Sequence, residues 1–136
     1  MYVLDGFRFG IFHYPVFGDV RDFRVERYLP PPARDITINK YSQGYVARFS
    51  IGQDELDRWF DDYWNKYADR SATKRGEVVS PLKSPPAKFD AGLKIAPGSY
   101  SGDWVEYVGP SARNGAGFVI WYNSDSSIAY QRGGYW

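Results

Sequence analysis

The sequence predicts an α+β domain: an antiparallel sheet of about five to seven strands with one amphipathic helix, over about 53–67, packed on a face. Three observations predict it. Leu56, Trp59, Phe60, Tyr63, Trp64 and Tyr67 recur at the spacing that lines one side of an α-helix. The segments DITINKY and GYVARFSI just before them, and several near the carboxyl end, alternate apolar and polar residues as half-buried strands do. A chain of 136 residues, 43% hydrophobic and 24% charged, fits one domain over 1–136 that buries roughly two-thirds of its unfolded surface.

Taken in order, Phe7, Phe9 and Ile11 alternate with Arg8 and Gly10, and Phe23 and Val25 with Arg24 and Glu26. Two extended segments are expected there, with a bend from Pro15 to Gly18. Leu29 followed by Pro30, Pro31 and Pro32 withdraws backbone donors and predicts a stiff polyproline spacer into a strand at Asp35. Ser42, Gln43 and Gly44 read as a hairpin turn between the DITINKY and GYVARFSI strands. Gly52 is the expected helix N-cap, with Asp54 and Glu55 at the positive helix end and Ile51 placed to staple onto Leu56. The stripe beginning at Leu56 would expose several hundred Å² of apolar surface if uncovered, so it must pack on the sheet.

Residues 69–103 contain several prolines, a basic surplus and little periodicity, and predict a long loop with a short strand at most at Val78 and Val79. Order returns afterwards. Trp104–Val108, Phe118–Tyr122 and Ile128–Arg132 have strand character, and the turn-rich Asn123–Ser127 makes the last two a hairpin.

Composition excludes several classes of function. Seventeen basic against sixteen acidic residues leave a net charge of +1, so no strong field draws the molecule onto a polyanion, and nucleic-acid binding is not expected. The absence of cysteine removes disulfides, thiolate metal sites and cysteine nucleophiles together. No run approaches the length of a membrane span, and Asp5 and Arg8 interrupt the opening apolar stretch. The chain as written is expected to be soluble, with localisation left open between the cytoplasm and export behind a removed signal or anchor.

Candidate chemistry is sparse. His13 is the single histidine, the residue type suited to general-base work, and the natural centre for a small hydrolase or ligand-binding enzyme, yet no nucleophile motif accompanies it. Asp54, Asp57 and Asp61 share a helix side, and Asn123 and Asp125 carry further oxygen ligands, but a solvated helix face and a turn explain them. GPSARNGAG, residues 109–117, ends at a strand instead of opening a helix and has no Lys followed by Ser or Thr, so it is no phosphate cradle; Arg113 and Asn114 are its candidate pocket residues. Lys74, Arg75, Lys83, Lys88 and Lys94 make the 69–103 segment basic, offset by Glu77 and Asp90. No cofactor or metal site is predicted.

Five Trp and twelve Tyr exceed what one helix and a small sheet can hide. Tyr and Trp gather at interfaces and on sugar-stacking surfaces because they offer rigid area with a polar handle. Tyr100, Trp104, Trp121, Tyr130 and Trp136 are the expected binding residues, with Tyr41 and Tyr135 as further exposed rings. The function predicted is therefore a non-enzymatic binding or interaction domain. A protein partner or self-association is favoured, with carbohydrate as a further ligand class.

Leu29, Pro30, Ala33, Asp35 and Ile36, followed by Phe49, Leu56 and Trp59, form an LPxxAxDI entry to a hairpin and then an ELxxW helix. This pattern resembles small uncharacterised bacterial proteins over about thirty residues. The resemblance implies the hairpin and helix, with an amino-terminal anchor or signal in some such proteins, and brings no catalytic residue with it.

Overall fold

The computed structural model describes residues 9–78 and 83–135. Six strands form one sheet: β1 (Gly10–Val16), β2 (Arg34–Tyr41), β3 (Gly44–Ser50), β4 (Trp104–Val108), β5 (Gly117–Asn123) and β6 (Ile128–Gly134). Their order is β1-β2-β3-β6-β5-β4, and every neighbouring pair is antiparallel. Among the described residues three α-helices accompany the sheet, α1 (Phe23–Glu26), α2 (Gln53–Tyr67) and α3 (Lys88–Gly92), with short 3-10 turns at Phe17–Asp19 and Ala68–Arg70.

Helix α2 has the predicted limits and the predicted start. The Glu55 carboxylate accepts from the backbone N–H of Gly52 at 3.1 Å, and Ile51 and Leu56 are both fully buried. Leu56, Phe60 and Trp64 are buried, while Trp59 and Tyr63 pack half-buried on Phe118 with ring centroids 5.4 and 5.2 Å apart. The Trp64 indole N–H donates to Val108 O at 3.1 Å, so the polar edge of the ring is satisfied inside the helix–sheet interface.

The sheet presents two faces. Ile36 and Ile38 of β2, Tyr45, Ala47 and Phe49 of β3, Ile120 and Tyr122 of β5 and Ala129 of β6 join the core under α2. Gln131 enters this core with both its oxygen and its nitrogen bonded: it accepts from Tyr45 Oη and donates to Tyr28 O, both at 2.7 Å. Trp121 and Tyr130, one residue out of phase, belong to a second cluster on the opposite face.

Four expectations for the less periodic segments are corrected. Residues 23–26 form a helix, because Asp22 accepts from the backbone N–H of Arg24 at 3.1 Å and caps it; alternation over four residues does not outweigh a capped turn. Phe9 and Ile11 lead into a strand that runs through Pro15 to Val16, where an edge position spares the missing proline donor; Phe7 and Arg8 lie outside the described residues. Pro31 and Pro32 sit in a turn closed by Ala33 N to Pro30 O at 3.0 Å, so the chain bends there instead of running straight. The 69–103 segment is not structureless: α3 lies within it and buries Phe89 and Leu93 against Trp121 and Tyr130. Val78 is exposed and outside any strand, and Val79 lies outside the described residues.

Candidate functional site

The sheet face opposite α2 gathers the candidate rings. Register sets Trp104 of β4 beside Asn123 of β5, and Trp121 of β5 beside Tyr130 of β6, so side chains far apart in sequence share one surface. The segment carrying α3 crosses this surface, and Tyr100 descends from its far end. Tyr100, Trp104 and Tyr130 then pack edge to face, with centroids 5.2, 5.8 and 6.1 Å apart and interplanar angles of 81°, 66° and 82°.

A polar network fastens the cluster. Tyr130 Oη donates to Asp90 Oδ1 at 2.5 Å and lies 3.0 Å from Tyr100 Oη, while Asp90 Oδ2 accepts from Gly98 N at 2.9 Å. Arg48 of β3 lies opposite Tyr130 in the sheet register, and, against the opposing effect of burial, the hydroxyls of Tyr130 and Tyr100 favour its charged form. Since Tyr130 gives its only proton to the carboxylate, Tyr100 acts as the donor towards it. Burial, and then the hydrogen bond to Asp90, hold the Tyr130 hydroxyl far above its ordinary pKa, so this group stays protonated at any physiological pH.

Above the network lies a cleft of about 250 Å³ lined by Pro85, Pro86, Asp90, Tyr100, Trp104 and Tyr130 among others. Three of the five rings singled out from sequence therefore meet at one place. Trp121 does not reach the surface: it is 1% exposed, beneath Phe89 with ring centroids 5.7 Å apart. Tyr130 is only 2% exposed although it lines the cleft, and Tyr135 is buried as well, whereas Tyr41 is exposed as expected. Burial of Trp121 also removes it as the anchor of a dimer. Trp136 lies outside the described residues. Asp90 and Arg48 had no local signal, because the Asp90–Tyr130 bond spans 40 residues.

His13 is exposed on β1, its Nδ1 3.2 Å from Thr37 Oγ1. It lines a groove of about 740 Å³ with Ile11, Asn39, Leu93 and Ile95, and no acidic residue lines that groove among the described residues. Among the described residues no carboxylate is placed to orient it as a general base. The helix carboxylates have structural partners: Asp57 accepts from Tyr107 Oη at 2.5 Å and Asp61 from Arg75 at 2.6 Å. Asn123 is buried and organises its turn, donating to Ser101 O and accepting from Ser126. Among the described residues no group of His, Cys, Asp or Glu is placed to hold a metal ion, and no helix is long and apolar enough to cross a membrane. The 109–117 loop does line a cavity, through Ser111 and Ala112 instead of Arg113 and Asn114.

No protein-family model, curated protein or solved structure matches the chain.

Proposed function

We propose that this chain is a non-enzymatic binding domain that engages a protein partner through the aromatic cleft on the sheet face opposite α2. The observation that carries the reading is the convergence of Tyr100, Trp104 and Tyr130 on a cleft rimmed by Pro85, Pro86 and Asp90. Size supports a protein over a small ligand: about 250 Å³ falls below the roughly 300–1,000 Å³ of small-molecule sites and suits one inserted side chain. Ring geometry supports it too. A sugar needs an open aromatic face, and here the rings turn edges into one another's faces. Half-buried Tyr100 and Trp104 are held by the Asp90–Tyr130–Arg48 network, so little side-chain freedom is lost when they are covered.

Site-specific photo-crosslinking tests the reading. A photoreactive residue at the exposed rim position Ala87 is expected to capture a defined protein, or a second copy of this chain, and the adduct is expected to vanish with Trp104→Ala while circular dichroism stays unchanged. A label at Asp62, on the solvent side of α2, is the control and should capture nothing. The reading fails if the Ala87 adduct survives Trp104→Ala or never forms.

A further inference from the structure

A second concavity lies where the carboxyl end of α2 meets the 110–116 loop, well apart in the fold from the cleft of Tyr100 and Trp104. We infer that it is a binding site for a small anion carrying a flat ring, an aromatic carboxylate or an aryl phosphate.

Its volume, about 340 Å³, falls in the range of small-molecule sites. Tyr28, Tyr63 and Tyr67 line it, with the Tyr63 and Tyr67 rings one helical turn apart and 4.6 Å between centroids. These two rings pack on one another at an interplanar angle of 45° and with Tyr28 give the cavity an aromatic wall on which a flat ring can lie. Arg27 and Arg70, both exposed, line the same cavity, and no acidic residue does among the described residues. Arg27 lies with its guanidinium 5.8 Å from the Tyr28 ring centroid. Its charge is felt at the Tyr63 hydroxyl, where it opposes the dominant effect of burial. Arg70 has no ion pair among the described residues. The last turn of α2 carries partial negative charge at its carbonyls and repels an anion, so attraction must come from the guanidiniums.

The walls are joined without a ligand. Ala72 N donates to Ser111 O at 2.7 Å, Ser111 N to Ser71 Oγ at 3.2 Å, and Ala112 N to Ala116 O at 2.8 Å. A cavity braced in this way keeps its shape when empty, and binding does not have to order the loop.

Titration calorimetry on the full chain at low salt, with phenyl phosphate and benzoate as probes, tests the inference. Inorganic phosphate and benzyl alcohol serve as half-ligands that keep only the charge or only the ring. At least one aryl anion should bind saturably in the millimolar range or tighter, and each half-ligand should bind at least about fivefold more weakly. Arg70→Gln should weaken the aryl anion about fivefold, as loss of one partly exposed charge contact does. Arg75→Gln, at a guanidinium paired with Asp61 outside the cavity, should leave affinity unchanged. Amide resonances of Ala112 and Ala116 should shift with the same affinity. The stronger of the two probes identifies the preferred anion. Absence of saturable binding by both, equal binding of benzyl alcohol, or parental affinity in both Arg27→Gln and Arg70→Gln overturns the inference; both side chains are exposed, so the folds of these variants should persist.

Discussion

Lys40 and Asp22 form an ion pair at 3.1 Å with side chains only 3% and 1% exposed. Stripping two charges of water costs several kcal/mol each, and the pair meets at a poor hydrogen-bond angle, so other contacts must offset that cost. The Lys40 ammonium sits 4.9 Å from the centroid of Phe12 and 5.5 Å from that of Tyr14, and Asp22 Oδ1 caps α1. Removal of one partner strands the other: Lys40→Met should destabilise the fold by about 3–5 kcal/mol in urea titration. The double change with Asp22→Asn should recover a large part of that loss, because the buried charge disappears while the amide still caps. Tyr63, Tyr107 and Tyr135 show how burial becomes a pH effect. Burial is the first cause raising all three hydroxyls, joined for Tyr107 by its bond to Asp57 and for Tyr135 by the charge of Asp22. Above the ordinary tyrosine value the unfolded chain loses these protons and the folded chain keeps them. Their stabilisation is therefore complete below about pH 10 and declines as pH rises beyond it. Urea midpoints should fall between about pH 9 and pH 11, with unfolding adding a step in tyrosinate absorbance beyond what the exposed rings give in the native baseline; a native chain whose absorbance already equals that of the unfolded chain would refute this.

At the scale of elements, α2 and α3 do the same job on opposite faces with different authority. The α2 stripe buries Leu56, Phe60 and Trp64 over a broad core, and Trp64→Ala should cost about 3–5 kcal/mol through a cavity and the lost bond to Val108 O. Tyr67, half-buried at the helix end, should cost less than about 1 kcal/mol when truncated to Ala. Helix α3 has five residues and depends on Phe89 and Leu93 inserted against Trp121 and Tyr130. Phe89→Ala should accordingly release this element before the rest. Amides of 89–95 are expected to exchange faster while those of β3 and β5 keep their protection, and equal acceleration throughout would contradict a separately held strap. Asp35 shows how a local irregularity shapes an element: it has φ +49° at a bulge between the Arg34 and Thr37 pairings of β2 with β3.

At the scale of the whole molecule, the β3–β6 pairing joins two halves of the chain, from Gly44 opposite Gly134 to Ser50 opposite Ile128. Close approach at one end of this seam requires glycine: a Cβ on Gly44 would collide with the carbonyl of Gly133, and a Cβ on Gly133 with the buried Tyr45 ring. Gly44→Ala should therefore cost about 1–3 kcal/mol, measured by denaturant midpoint, although Ala suits a strand no worse than Gly.

Local periodicity was enough to read α2, β2, β3, β4 and β6, because the spacing of apolar residues reports a buried face whatever covers it, whereas β5, buried on both faces, was legible as a run of β-prone residues. Tyr100, Trp104 and Tyr130 were legible as a group of unusual rings, yet their meeting was not, nor was the burial of Trp121. The strand order, the seam at Gly44 and Gly133, the Asp90–Tyr130 bond and the seating of Phe89 on Trp121 arose only in tertiary structure. Pattern along a chain encodes how much surface must be hidden, whereas the identity of what hides it is settled by contacts between residues tens of positions apart, for which no local spacing exists.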